Sequence, residues 1–549
     1  MIGQNIIFGE VALGDLMDPS IWVLQQIPSQ FSLSATHSHI VVKKGFAYPE
    51  FFVTNHLDGS FYFGYKQPNL NVALGNASLD DEYLIGKIDP ENHTISFRAD
   101  ALRTMPLFYT IANNKLYFSS SLTDLLIASC HPLRFNLPVL AEFILLRGRY
   151  NRETIFENVF VLTDREYLQW AGKKLTSQLP PQREPLVRQE TDDASAISEF
   201  SRLLGQATCR HLTNLGHIGI GAELSGGLDS STVVQALVQA GCRTLLPVFT
   251  KLLPGEQRED QCKRITEFSY HFGCQLHTIE LADKYPLANL RMETIDQTPF
   301  DPTLEPYRLG VIETSNKATK CGVNAIFTGM GGDELLEHHH LHDTGFQGNP
   351  ELAARQQIEI PNFLSDSIRE AFLDSNHIAT HQPIPFFTHS IIRAHQVKNP
   401  FFLEQGIWPI SLLADSELVN FCRRLPIRLL KRKALIRLYQ QTTRFPEPMY
   451  TTTRKDSMYA LHERGLRGSL VPLIGYLFQN SRLAELGLVN KEKLLTAYQV
   501  YLRSQGRIRE YFYQIITLEI FLRSMEKHGL KANISTESVS SKVVSQRGR

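Results

Sequence analysis

Up to about Trp170 the chain alternates short apolar runs with turn-forming residues. His39-Ile40-Val41-Val42, Ser60-Phe61-Tyr62-Phe63-Gly64-Tyr65 and Lys115-Leu116-Tyr117-Phe118 are rich in β-branched and aromatic residues and are bounded by Asn, Asp and Gly. Runs of this kind form strands, so the pattern predicts a mostly β region with helices near 121–128 and 138–146. Between 172 and 191 the apolar period stops, and Gly172-Lys173-Lys174, Pro180-Pro181 and Pro185 stand among charges, as in a linker. From Asp192 onward Ile197, Phe200, Leu203, Leu204 and Ala207 recur at helical spacing and lead into the apolar run from Ile218 to Leu224. Further strands are predicted over 245–250 and from Gln275. Strands alternating with helices predict a doubly wound, mostly parallel sheet whose ligands bind beyond the carboxyl ends of the strands. Extended helical periods follow through 412–438 and 498–521, and the polar, serine-rich stretch 531–549 is expected to be disordered. The expected organisation is therefore 1–171, a linker at 172–191, 192–530, and a tail at 531–549.

The most informative stretch is Glu223-Leu224-Ser225-Gly226-Gly227-Leu228-Asp229-Ser230-Ser231-Thr232, which joins an apolar strand to an apolar-periodic helix. Adjacent glycines let the backbone approach a ligand, and the free N–H groups of the first helical turn make an anion site aligned with the helix dipole. Such a site suits phosphate. Asp229 would repel that phosphate unless a hard cation such as Mg²⁺ bridged the two. The spacing and lysine of a Walker loop are absent.

Ser-Gly-Gly-x-Asp-Ser resembles the pyrophosphate loop of ATP-pyrophosphatase enzymes. Phe327-Thr328-Gly329-Met330-Gly331-Gly332-Asp333-Glu334-Leu335-Leu336 resembles the Ser-Gly-x-Gly-x-Asp-Glu-x-Phe segment of the asparagine synthetase family. Three further stretches fit that family. Arg103 to Tyr109 with Leu116 to Leu126 resembles the hairpin and helix of its N-terminal glutaminase domain. Ile407 to Val419 resembles its Val-Arg-x-Pro-Phe-Leu-Asp segment without the arginine and phenylalanine, and Lys433-Ala434-Leu435-Ile436-Arg437 resembles its Lys-x-Leu-Leu-Arg helix. The resemblance implies an α/β protein: an N-terminal, degenerate glutaminase-like (Ntn-type) β-rich sandwich over 1–171, and a C-terminal doubly wound parallel-sheet synthetase domain with helical additions over 192–530. The family's glutaminase nucleophile is an N-terminal cysteine. Here the sequence opens Met1-Ile2-Gly3 and its first cysteine is Cys130, so glutamine hydrolysis by that route is not expected.

Composition narrows the partners. The 549 residues are 43% hydrophobic and 20% charged, with 56 basic against 56 acidic side chains, which gives no electrostatic case for nucleic acid or a membrane surface. No apolar stretch is long enough to predict a span or a secretory signal. The seven cysteines, odd in number and without C-x-x-C spacing, indicate neither a disulfide framework nor a zinc site, and a cytoplasmic location is expected.

By resemblance, Ser225, Gly226, Gly227, Ser230, Ser231 and Gly329 contact ATP, while Asp229 and Asp333 hold Mg²⁺ from two loops. Lys455, in Arg454-Lys455-Asp456, would place a positive charge near the reacting phosphate, with Lys433 and Arg454 as alternatives. Glu334 ranks below Asp333. Met330 stands where asparagine synthetase has a glutamate and β-lactam synthetases a tyrosine, and a thioether cannot accept a proton. His338, His339, His340 and His342 follow, and a solvated loop is the expected reading of them. Together these features predict an AMP-forming carbon–nitrogen ligase of the tailoring branch. The first expectation is a lasso-peptide cyclase, whose partners would be a precursor peptide and a leader-peptide protease. A β-lactam-type synthetase, an ammonia-dependent asparagine synthetase and a non-catalytic scaffold are the alternatives.

Overall fold

The computed structural model describes residues 7–16, 23–27, 29–43, 46–56, 60–68, 70, 79–145, 152–172, 174–179, 187–242, 245–297, 300–336, 360–374, 386–443, 445–451, 458–504 and 511–533. The N-terminal part is antiparallel. Seven strands run in the order Val159–Val161, Phe108–Ala112, Lys115–Ser119, Ile7–Ala12, His39–Lys43, Gln30–Ser34 and Val23–Ile27. Six more run in the order Lys174–Gln178, Tyr167–Ala171, Thr94–Ala99, Tyr83–Asp89, Phe61–Lys66 and Glu50–Asn55. Their inner faces meet through aromatic rings: Phe118 of the first sheet lies 5.6 Å from Phe63 and 4.8 Å from Phe97 of the second. The helices expected near 121–128 and 138–146 are Leu122–Ser129 and Leu137–Ile144.

Part of the stretch read as a linker is ordered. Lys174–Gln178 pairs antiparallel with Tyr167–Ala171, with Leu175 opposite Trp170. None of its five residues is fully buried, so no apolar face marks its period in the sequence. Likewise Ala532–Asn533, inside the stretch read as a disordered tail, pairs in parallel with Leu133–Arg134.

The C-terminal part is built on a parallel sheet ordered Gln275–Glu280, Pro247–Leu252, Ile220–Glu223, Ala325–Phe327 and Trp408–Ile410. The helix leading in, Asp193–Leu215, starts where Asp192 accepts the Ser195 N–H at 2.9 Å. Strand order reverses between Ile220–Glu223 and Ala325–Phe327. With the right-handed crossovers that parallel sheets follow, the helices Leu228–Gln239 and Gln257–Phe272 pack together on one face and Arg308–Lys320 and His389–Leu403 on the other. The predicted period over 412–438 is broken into shorter pieces, Ser416–Arg424, Ile427–Leu430 and Ala434–Thr442.

The antiparallel part docks on the His389–Leu403 side. Trp408 packs 5.0 Å from Tyr65, Asn399 donates to the Thr104 carbonyl at 2.9 Å, and Arg103 donates to Gln396 at 3.0 Å. Among the described residues no helix is long and apolar enough to cross a membrane.

Candidate active site

The first loop leaves the sheet at Glu223, at the point where strand order reverses. Gly226 adopts φ +85°, and a Cβ there would press on Ile265 at 3.2 Å, so the turn calls for glycine. The loop's carbonyls are held from behind. Gln261 donates to the Ser225 oxygen at 3.0 Å, and Arg264 donates to the Gly226 oxygen at 3.0 Å. Tying back these carbonyls fixes the loop beside the start of the Leu228–Gln239 helix, while the Ser225 N–H is taken inside the loop by Ser230 Oγ at 3.0 Å. The Ser225 and Ser230 hydroxyls sit 2.9 Å apart, and Ser225 Oγ accepts the Gly227 N–H at 3.2 Å.

Ser231 does not join this face. It is fully buried, and its hydroxyl lies 2.8 Å from the Gly227 oxygen and 2.9 Å from that of Leu228, inside the helix's own first turn. Gln440 reaches the same turn, donating to Leu228 O at 3.1 Å and Thr232 Oγ1 at 2.9 Å, and so locks the Ala434–Thr442 helix against the loop helix.

The second loop presses directly on the first. A Cβ on Gly329 would come within 2.8 Å of the Ser230 nitrogen, and one on Gly332 within 2.3 Å of Asp229 Cγ. The glycines at these positions therefore serve close approach of two backbones. Asp229 and Asp333 are brought together, and Lys433 stands between them, with its Nζ 2.5 Å from Asp229 Oδ2 and 2.5 Å from Asp333 Oδ1. Arg432 and Lys433 both have positive φ, 53° and 56°, a turn that aims the lysine back at the loops.

One ammonium between two carboxylates leaves a net negative charge in a largely buried place. Burial, with Asp333 and Glu334 adding to it, pushes the Asp229 carboxyl up to about 6 although Lys433 pulls it down. Burial opposes the charge on Lys433, but Asp229 and Asp333 outweigh it and raise its pKa. Asp229 Oδ1 is buried with no hydrogen-bond partner. Two carboxylates on facing loops, one with an unused oxygen, fit a Mg²⁺ ion that takes its remaining ligands from phosphate and water. No described group of three or more His, Cys, Asp or Glu side chains could hold a metal without such help.

Glu334 accepts from Ser390 at 2.5 Å and stands outside this bridge. Met330 packs with Phe387, Ile391 and Ala414 in an apolar cluster. Lys455 and Arg454, His338, His339, His340 and His342 lie outside the described residues. Sequence reading missed Glu223 as a charged group. It is buried between Lys251 at 2.6 Å and Lys398 at 3.0 Å. Burial works against its charge, yet the two lysines prevail and hold it at about 2. Lys398 is 175 residues away in sequence, so no local pattern could have revealed the triad.

Residues 199–384 match the asparagine synthase family model. This is a family of ATP-dependent carbon–nitrogen ligases, and the match contains both loops, Asp229 and Asp333, but not Lys433. No curated protein matches the sequence. Solved structures similar to this chain include the U34-tRNA thiolase NcsA from Methanococcus maripaludis, at 13% identity and TM-score 0.27, covering 60% of this chain and 87% of that one. NMN synthetase from Francisella tularensis is similar at 13% identity and TM-score 0.25, covering 62% and 97%. Glutamine phosphoribosylpyrophosphate amidotransferase from B. subtilis is similar at 9% identity and TM-score 0.20, covering 52% and 78%.

Proposed function

We propose that the chain uses ATP to activate a carboxylate as its adenylate, releasing pyrophosphate, and that an amine then displaces AMP to form an amide. The Asp229–Lys433–Asp333 bridge carries this reading, because it joins the two loops around a deficit of positive charge where a triphosphate and its metal would sit. The loop N–H groups and Ser225 and Ser230 hold the phosphates, Asp229 and Asp333 hold Mg²⁺, and Lys433 turns from the acids to the pyrophosphate. Mg²⁺ when bound neutralises charge on the phosphates and the leaving pyrophosphate. Lys455 supplies a further cation at the reacting phosphorus.

The amine, in this reading, belongs to the same molecule as the carboxylate. The thioether of Met330, packed among apolar residues, supports it: this position takes no proton, so closure leans on proximity, which a tethered amine supplies. Cys130, the first cysteine in the sequence, caps the Leu122–Ser129 helix in the left-handed conformation and is exposed, unlike a nucleophile housed for glutamine hydrolysis. The substrate we propose is a precursor peptide closed into a macrolactam between its N-terminal amine and an Asp or Glu side chain, as in lasso-peptide synthesis, with a leader-peptide protease as partner. A β-lactam-type or ammonia-dependent synthetase is the alternative. Incubation with such a peptide and MgATP is expected to give AMP, pyrophosphate and a peptide lighter by one water. ADP as the sole nucleotide product sinks the adenylation, and AMP formed only with aspartate and ammonia moves the assignment to the alternative.

A further inference from the structure

A cavity of about 300 Å³ lies between the antiparallel part and the helices Arg308–Lys320 and His389–Leu403. That is about twice the volume of a cavity of roughly 150 Å³ that admits benzene. None of its lining residues belongs to either active-site loop, and it sits on the sheet face opposite the Leu228–Gln239 helix. Its wall is mixed, with apolar surface from Phe108 on the antiparallel side and from Leu304, Ile312 and Phe401 on the other.

Three charged side chains line it, and one of them, Asp301, is already engaged by the Thr303 N–H at 2.8 Å and the Thr303 hydroxyl at 2.6 Å. The Arg308 guanidinium lies over the Phe300 ring, 4.5 Å from its centroid, and Glu404 lines the same space. Among the described residues neither side chain has a hydrogen-bond or ion-pair partner, and the two do not pair with each other, although each feels the other's field. Burial lowers the pKa of Arg308, against the fields of Tyr513 and Glu404, and raises that of Glu404, against those of Lys43 and Arg308; both side chains stay half-buried. A cation and an anion without hydrogen-bond partners on one cavity, beside an apolar wall, suit a ligand carrying both opposite charges.

We propose that this cavity binds an aliphatic amino acid as its zwitterion, the carboxylate on Arg308, the ammonium on Glu404 and the side chain against Leu304, Ile312 and Phe401. Because both halves of the molecule line the cavity, such a ligand ties them together, and it does so whether or not the proposed amide chemistry holds.

The test is calorimetric titration of the full chain with L-leucine, leucinamide and N-acetyl-leucine, which carry both charges, the cation only and the anion only. Leucine is expected to bind at least about tenfold more tightly than either derivative. Arg308→Met should abolish its advantage over leucinamide, and Glu404→Gln its advantage over N-acetyl-leucine. If a variant fails to fold, the ligand series on the unaltered protein decides the matter alone. Three equal affinities, no binding of leucine at about 10 mM, which is tenfold above a weak Kd of about 1 mM, or displacement of leucine by MgATP would each overturn the proposal.

Discussion

Two groups of acids in this protein are pushed up by burial to similar degrees, yet they are completed differently. In the antiparallel part Glu82 rises to about 7 and Asp100 to about 6, both chiefly through burial. Each is capped by a phenol: Tyr48 donates to Glu82 at 2.5 Å and Tyr65 to Asp100 at 2.9 Å, and the Thr104 N–H takes the second Asp100 oxygen at 3.2 Å. At the loops Asp229 also rises to about 6, but its Oδ1 is orphaned and its one cation is shared with Asp333. A shifted pKa therefore does not separate structure from function here. Completeness of hydrogen bonding separates these two groups, and an orphaned oxygen gains meaning at Asp229 from the cation and second carboxylate beside it, which the likewise orphaned Asp124 Oδ2 and Asp296 Oδ1 do not share with it.

The sharpest way to break this comparison is to remove charge at the incomplete group. Asp229→Asn or Asp333→Asn is expected to lower turnover by about a thousandfold, the scale of losing a metal-bridging or preorganised electrostatic contact, while melting temperature holds. Near wild-type turnover in either variant would remove that residue from metal binding. Lys455→Met should cost at least about a hundredfold in turnover with peptide affinity kept. Full activity in that variant would leave Lys433 and Arg454 as the candidates for the reacting cation.

Much of the fold and the two loops were legible because their signals are local. The glycine turns, the strand-to-helix junctions and the carboxylates of each motif lie within ten residues of one another. What was not legible depends on distant partners. Lys433 stands 204 residues from Asp229, and its helix was recognisable while its pairing was not. Ser231 looks like its neighbour Ser230 in sequence, and only the helix's rotation turns one hydroxyl to the loop and the other inward. The edge strand Lys174–Gln178 was hidden among prolines and lysines because neither of its faces is buried, which leaves no apolar alternation to read.

Lys433→Met tests the incomplete group from the cation's side. It leaves Asp229 without its counterion, and breaking such a pair should destabilise the ligand-free protein by about 2–3 kcal/mol, the lower range for a buried pair because the Asp333 carboxylate is screened by solvent. Denaturant unfolding without Mg²⁺ measures this, and an unchanged midpoint would mean that the lysine is not paired in solution. The same carboxyl sets a pH dependence. With a folded pKa raised from 3.8 to about 6, Asp229 carries a proton below that value, so MgATP affinity is expected to fall as pH drops through about 6. In the ligand-free protein the sign is opposite: a raised acid contributes stability at low pH that is lost as pH rises through the same window. Asp229→Asn should flatten both curves.

The smallest expected effect probes the complete group. Glu82 has a folded pKa of about 7 against an ordinary 4.5, so the folded state keeps a proton that the unfolded chain releases between those values. Stability from this group is therefore present below about pH 4.5 and is lost as pH rises through about 7. Glu82→Gln preserves a partner for the Tyr48 hydroxyl and removes the charge that burial opposes. At about pH 8 the variant should be more stable than the natural protein by about 1 kcal/mol, at about pH 5 the two should be equal, and turnover should not change at either pH. A loss of turnover comparable to that of Asp229→Asn would show that the capped acids also serve the reaction, and the contrast between finished and unfinished carboxylates would then no longer mark where the chemistry lies.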